Sequence, residues 1–372
     1  MKIAIDASRA TRAQRTGTEN YALRLLQAVL ALNATRPVPN TLVLYFRDQP
    51  TPGLFDPALA AQQVIPFRRL WTHVRFAAAI FRDRPVLTFV PAHTLPLLFP
   101  GSGVVTIHDL GYIHFPEAHS RRQRWILDWT TRYSARRASL ILADSVATKR
   151  DLVTAYNINP DKIRVVYPGV EGISRASDTE IATVRAKHKL PERYWLFVGT
   201  IQPRKNIARL IAAYQQWRAQ ANETDRAIPL VLAGRRGWLS ETLPLDAPGV
   251  ILPGYIDDAD IASLYSGALA LTFPSLYEGF GFPVIEAMRC GTPVLCSSTS
   301  SLPELADDAA LMVDPLAVDA ICAGLARLAA DSALRADLTV RGYRQALQFS
   351  WSAAAEQTLT ALENVANGDQ NH

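Results

Sequence analysis

Short apolar runs recur along this chain in two separate series, and segments with helical patterning fill most of the gaps between them. Runs of that length read as strands buried on both faces, and their alternation with helices implies parallel sheets. The first series falls at 2–7, 41–46, 86–90, 104–108, 140–144 and 164–167, with helices expected over 18–32, 121–137 and 146–156. The second falls at 194–200, 230–234, 250–253, 268–273 and 293–297, with helices over 206–219, 258–266 and 316–330. Between them, residues 169–192 are polar and weakly patterned, which suits a linker. At 372 residues the chain can build two domains, each with its own core. Open parallel sheets bind ligands at the C-terminal ends of their strands. The unusual residues of both series gather there: Asp6, His108 and Asp109, Tyr167 to Gly169, Gly199 and Thr200, Gly234 and Glu278.

Composition excludes several classes. Three cysteines (Cys290, Cys296, Cys322) lie in apolar or helical settings without ligand spacing, so reduced thiols in the cytoplasm are expected. The seven histidines form no zinc motif, and no metal is expected. Residues 1–6 read as a first strand and not as a secretory leader, and the apolar stretch 86–100 is broken by prolines. Charge is uneven: residues 1–170 hold 22 Lys and Arg against 11 Asp and Glu, and the remainder holds 17 against 23. Arg68, Arg69, Trp71, Arg75, Phe76, Phe81, Arg82 and Arg84 crowd one segment. It reads either as a surface for anionic lipid or as a solvated helix whose aromatics pack inward. No nucleic-acid motif accompanies the charge, and no nucleic-acid partner is expected.

The stretch from Pro274 to Met288 places Glu278 and Glu286 on either side of a glycine-bearing loop, between a strand and a helix N-terminus. Free amides and a partial positive charge at that end suit a phosphate. Pro283 fits a first helical position, and Gly291 with Pro293 limits the helix to about two turns. Upstream, Gly199 to Asn206 follows a strand and opens a helix, carrying the Arg204–Lys205 pair. A basic pair at a helix start is unfavourable without an anion.

These segments resemble the E-x7-E signature and the R-K-N element of the retaining glycosyltransferases of family four. The resemblance runs from Asp6 to Trp351. It implies a GT-B fold: two Rossmann-like domains facing a central cleft, with a last helix over 352–365 crossing back to the first. On that basis 1–170 is an acceptor-binding domain, joined by the helix and tail of 351–372, 171–192 is a linker, and 193–350 binds the nucleotide sugar. The resemblance gives Glu278 the donor-sugar hydroxyls, Glu286 the ribose, and Arg204 and Lys205 the diphosphate. The loop Gly279, Phe280, Gly281, Phe282, Pro283, Val284 would line that diphosphate, with Gly199 beside it. His108 would contact the donor sugar. Gly17, in a glycine loop spanning Arg15 to Tyr21, would approach donor and acceptor, with Thr18 a candidate N-cap. Asp109 would orient the His108 ring or cap the next element, and Ser145 would meet the acceptor or act as a helix cap. The loop 234–238 would lie near the base.

The implied activity is metal-independent transfer of a hexose from a nucleotide-diphosphate sugar, with retention. Mannose from GDP-mannose is favoured, because Pro274 to Gly281 and Ser300 to Glu304 look most like mannosyltransferases of bacterial surface-polysaccharide synthesis. A saccharide or polyprenyl-diphosphate-linked acceptor is implied, at the cytoplasmic face of the plasma membrane. Two other readings share the phosphate chemistry. A GT-B sugar-nucleotide epimerase would turn over donor with no acceptor, and a non-catalytic nucleotide-sugar binding protein would turn over nothing.

Overall fold

The computed structural model describes residues 1–11 and 17–368. It divides into two compact units, Met1–Gly169 with the C-terminal stretch from Phe349, and Val170–Gln348. In the first unit the elements run β1 (Lys2–Asp6), α1 (Gly17–Ala34), β2 (Thr41–Phe46), β3 (Ala61–Val64), α2 (Ala77–Asp83), β4 (Leu87–Val90) and β5 (Ser102–Ile107). They continue with α3 (Gly111–His114), α4 (Arg121–Arg137), β6 (Leu140–Ala143), α5 (Val146–Tyr156) and β7 (Ile163–Val165). The second unit begins with α6 (Asp178–His188), β8 (Trp195–Val198), α7 (Ile207–Gln220), α8 (Glu223–Arg226), β9 (Leu230–Ala233), β10 (Val250–Gly254) and α9 (Asp258–Ser266). It ends with β11 (Ala270–Phe273), α10 (Phe282–Arg289), β12 (Val294–Ser297), α11 (Leu302–Ala306), β13 (Leu311–Val313), α12 (Val318–Ala330) and α13 (Ser332–Ala346). The last helix, α14 (Trp351–Gly368), belongs to the first unit.

Each unit holds one open, all-parallel sheet, ordered β3-β2-β1-β4-β5-β6-β7 in the first and β10-β9-β8-β11-β12-β13 in the second. Strand order reverses between β1 and β4 and again between β8 and β11. At such a reversal the connections leave to opposite sides, and a crevice opens beyond the strand ends. The central strands β4, β5, β9, β11 and β12 are buried throughout, as a sheet covered on both faces requires.

α14 packs on α1. Its buried residues, Trp351, Ala354, Ala355, Thr358, Leu359, Ala361, Leu362 and Ala366, recur at helical spacing. Leu359 and Leu362 are fully buried, which contributes about 2 kcal/mol each. Arg36 to Glu356 and Asn40 to Glu363, both at 2.8 Å, fix the outer edges of the contact.

Several expectations change. The segment expected as a linker carries α6, which packs on α9. Its start is set by a capping box in which the Ser177 hydroxyl accepts from the Glu180 N–H and the Glu180 carboxylate accepts from the Ser177 N–H. The basic segment divides by side chain. Trp71 and Phe76 are buried and stacked at 5.2 Å, the Trp71 indole donates to the Ile65 carbonyl, and only Phe81 of the three aromatics is exposed. α1 begins at Gly17, so Thr18 lies inside the helix and is not its cap, and Arg15 and Thr16 fall outside the described residues. Pro283 stands second in α10 and not first.

Candidate active site

The reversal point of the second sheet gathers the basic pair and the glutamate loop. β8 leaves the sheet through Gly199, and β9 leaves through Gly234. A Cβ on Gly234 would stand 1.9 Å from the Gly199 carbonyl oxygen, so only glycine lets these strand ends pass. A short 3-10 turn, Pro203–Lys205, then presents both bases. It ends at Asn206, held at φ 62°, a left-handed conformation asparagine tolerates well. The buried Asn206 amide donates to the carbonyls of Pro274 (3.0 Å) and Pro315 (2.6 Å), tying the turn to the loop after β11.

Glu278 on that loop meets both cations. Its Oε1 accepts from Lys205 Nζ at 2.5 Å and its Oε2 lies 3.3 Å from an Arg204 guanidinium nitrogen. Glu278 and Lys205 are both buried. Burial alone would raise the Glu278 pKa, but Lys205 and then Arg204 outweigh it and hold the carboxyl below its ordinary value. The side chain expected to meet a neutral polyol is therefore an ionised partner of two bases. With two cations to one carboxylate, the trio is net positive. Lys205 Nζ also sits 5.0 Å from the centre of the Phe273 ring, and Arg204 donates to the Tyr277 carbonyl at 2.5 Å.

A run of hydroxyls after β12 holds the backbone of this loop. Ser297 Oγ donates to the Ser275 carbonyl (2.5 Å), Thr299 to Leu276 (3.4 Å) and Ser300 to Glu278 (2.6 Å). Ser300 also accepts from the Glu278 N–H (3.0 Å), and Ser301 donates to the Glu278 and Phe280 carbonyls. Gly281 then turns at φ 131°, where a Cβ would stand 2.6 Å from Leu302 Cδ2. Past that turn the loop enters α10, with the Phe280 and Phe282 rings edge to face at 5.0 Å. Pro283 lacks an N–H and the Val284 N–H donates to the Gly281 carbonyl (3.0 Å), so neither offers an amide to an anion. The Phe282 N–H, at the first helical position, has no intrahelical acceptor. Glu286 accepts from the buried Tyr265 hydroxyl of α9 at 2.9 Å. Desolvation raises its pKa despite that bond, with Asp258 adding to the effect.

In the first unit β5 and β6 pair in register, Ile107 beside Ala143, so the next residues, His108 and Asp144, leave adjacent strands side by side. His108 Nδ1 lies 2.7 Å from Asp144 Oδ2, with both residues buried. Burial opposes a charged ring, but Asp144, with Asp109 and the Pro91 carbonyl adding to it, raises the His108 pKa. His108 Nε2 and Asp144 Oδ1 are buried and have no partner at normal hydrogen-bond geometry. The Tyr21 ring meets the imidazole edge-on at 4.7 Å. His93 lies 5.3 Å away, and its pKa is lowered to about 4 by burial and then by His108. Asp109 accepts from the Gly111 N–H at 2.8 Å in a local turn, and Asp144 is the carboxylate bonded to the ring's Nδ1. Ser145 caps α5, its hydroxyl accepting from the Thr148 N–H, and Thr148 donates to the His108 carbonyl. Gly17 is exposed at the start of α1.

Sequence reasoning missed Asp144, Tyr265, Asn206 and the hydroxyl run as working parts. Asn206 had a local signal, an asparagine between a turn and a helix. Asp144 could be found only by knowing that β5 and β6 are neighbours. Among the described residues no group of three or more His, Cys, Asp or Glu is placed to hold a metal. Asp257 stands at the N-cap of α9 without a side-chain bond to it.

The family model "Glycosyl transferases group 1" matches residues 180–345, and "Glycosyltransferase Family 4" matches 17–171. O-antigen chain mannosyltransferase B of Escherichia coli is 38% identical over 269 residues, covering 70% of each chain. The serotype-specific mannosyltransferase WbdA of the same species is 30% identical over 245 residues, which is 63% of this chain and 30% of that protein. Among solved structures, sucrose-phosphate synthase from Thermosynechococcus elongatus superposes with a TM-score of 0.76 over 99% of both chains at 22% identity. That likeness shows the fold, which is GT-B.

Proposed function

Because this chain belongs to the group 1 and family 4 glycosyltransferases, and so transfers a hexose, we propose that it moves mannose from GDP-mannose, with retention and without a metal, to a saccharide or lipid-linked acceptor. The observation that carries the proposal is the trio of Arg204, Lys205 and Glu278 at the reversal point of the second sheet. The sugar assignment draws on the mannosyltransferase relatives.

The donor's diphosphate lies against the net positive trio and the start of α10. As the anomeric carbon–oxygen bond breaks, charge develops on the departing phosphate, and Arg204 and Lys205 stabilise it in a largely dry setting. The acceptor oxygen bonds the anomeric carbon on the face that the phosphate leaves, and its proton passes to that phosphate. Glu278, ionised by its two partners, accepts hydrogen bonds from sugar hydroxyls. Glu286, with a raised pKa, takes the ribose hydroxyls. The resemblance puts His108 against the donor sugar, and the Asp144 carboxylate on Nδ1 favours protonation of its ring. A lipid-linked acceptor would bring the protein to the cytoplasmic membrane face; among the described residues no helix is long and apolar enough to cross a membrane.

The test incubates the protein with a panel of nucleotide sugars, with and without EDTA, and follows thermal shift and slow release of nucleoside diphosphate. A response confined to GDP-mannose and indifferent to EDTA is expected. A response to a UDP-sugar overturns the donor, and loss of activity in EDTA overturns the metal-free reading.

A further inference from the structure

α4 is amphipathic in reverse. The residues it buries fully are small, Thr131, Ser134 and Ala135, and only Leu127 of its large apolar side chains packs against the core, while Trp125, Ile126 and Trp129 face outward. Trp125 is 64% exposed, with Ile126 and Trp129 also exposed. A surface helix usually turns its bulky apolar residues to the core. Here Trp125, Trp129 and Tyr133, four residues apart, stack along one outer face with centroids 6.5 and 5.7 Å apart. The Tyr133 hydroxyl donates to the Leu97 carbonyl at 2.5 Å, tethering a loop whose Leu97 and Leu98 are exposed as well, Leu98 at 69%. The helix carries six arginines against one aspartate, and Arg121, Arg122 and Arg124 at its start are exposed. Its N-terminus is fixed by a capping box between Ser120 and Gln123, so the face is rigidly presented.

We propose that this face of α4, with the 97–98 loop, docks the protein on an anionic lipid surface. Charge complementarity selects that occupant. Arginines at one end of a helix attract acidic headgroups, and tryptophans beside aliphatic side chains settle at the boundary between headgroup and acyl chain. Single-stranded nucleic acid would stack on open ring faces, and here the rings of Trp125, Trp129 and Tyr133 are stacked on one another. The surface is distinct from the 68–84 segment, whose Trp71 and Phe76 are buried in the core. The inference rests on the functional reading only in that a lipid-linked acceptor makes a membrane the natural partner.

Flotation with vesicles of phosphatidylethanolamine and phosphatidylglycerol, against vesicles of phosphatidylcholine alone, tests it. Wild type should float with the anionic vesicles only. Trp125→Ser with Trp129→Ser should lower partitioning by roughly tenfold or more, the scale of withdrawing large apolar side chains from an apolar boundary. Arg121→Gln, Arg122→Gln and Arg124→Gln together should remove the preference for anionic lipid. Exchanging Arg68 and Arg69 for Gln should leave binding intact. Thermal unfolding confirms that each variant is folded. Wild type that stays with the pellet, or tryptophan variants that float undiminished, overturns the proposal. So does a wild-type dimer that the tryptophan substitutions disperse while lipid binding is unaffected, because the occupant is then a second copy. Nucleoside diphosphate release measured on the same samples separates this from the enzymatic reading: turnover without flotation refutes the surface alone.

Discussion

Replacing Asp144 by Asn removes one charge from a buried pair and nearly preserves its shape. In wild type, His108 Nδ1 and Asp144 Oδ2 lie 2.7 Å apart with both residues buried. Opposite charges about 4 Å apart attract by roughly 4 kcal/mol at an effective dielectric of about 20. Asn can still accept the Nδ1–H bond, so the cost of the exchange is mainly the lost charge, about 2–3 kcal/mol once the burial of both groups is set against it. The sign with pH follows from the raised His108 pKa. Stability from charging the ring is fully present below the ordinary imidazole value of about 6.5 and is lost as pH rises through the folded value. The variant's deficit in urea unfolding should therefore be largest below the ordinary imidazole value and shrink as pH rises through the raised folded midpoint. Imidazole titration by NMR should show the His108 midpoint well below that of wild type, because burial, the largest opposing influence, then meets less resistance. The alkaline limb of the turnover profile should move to lower pH in step, because the charged ring then survives only in more acid solution. A His108 midpoint unmoved by the substitution, or a deficit independent of pH, refutes the assignment of Asp144 as the residue that keeps this ring charged.

Lys205→Ala should slow nucleoside diphosphate release by about 10²–10³-fold, the usual scale for losing one donor to a developing oxyanion, with single-turnover rates as the measure. Glu278→Gln should lower turnover yet tighten binding of product nucleoside diphosphate by about tenfold, since it removes the carboxylate that competes for both bases; calorimetry showing weaker product binding would contradict this. Glu286 has a raised pKa, so its ionisation costs stability at neutral pH and not in acid. Glu286→Gln should gain stability over wild type near pH 8 more than near pH 4, while weakening nucleotide binding, both readable by urea titration with and without nucleotide. Gly281→Ala should cost about 1–3 kcal/mol, from its positive φ and the approach to Leu302, and a denaturation midpoint equal to wild type would dispose of that account.

Much of the fold was readable because the central strands are uniform apolar runs and the longer helices carry clear stops. The 121–137, 146–156 and 258–266 helices begin and end as expected. The elements that escaped are weak in pattern. β3 reads Ala-Gln-Gln-Val at a sheet edge, β13 is three residues long, and α13 is polar with Gly342 in its middle. α6 has almost no apolar face, and only the Ser177–Glu180 box announced it. In the site, motif residues such as Arg204, Lys205 and Glu278 could be named in advance, but their mutual pairing could not. They lie more than 70 positions apart, and whether β8 neighbours β11 is a property of topology. His108 and Asp144 teach the same lesson across β5 and β6.

The hydroxyls of Ser297, Thr299, Ser300 and Ser301 grip main-chain atoms of the loop and none of its side chains. The loop's path is thereby uncoupled from the identity of the groups it displays. Exchanging the half-buried Leu276 leaves each of these grips in place, whereas Tyr277 and Phe280 are buried and answer to packing as well. Randomising 297–301 instead would release the loop and scatter preference and activity together. The hydrogen bonds that set the loop's path are thus indifferent to the side chains it carries, and packing restrains their exchange.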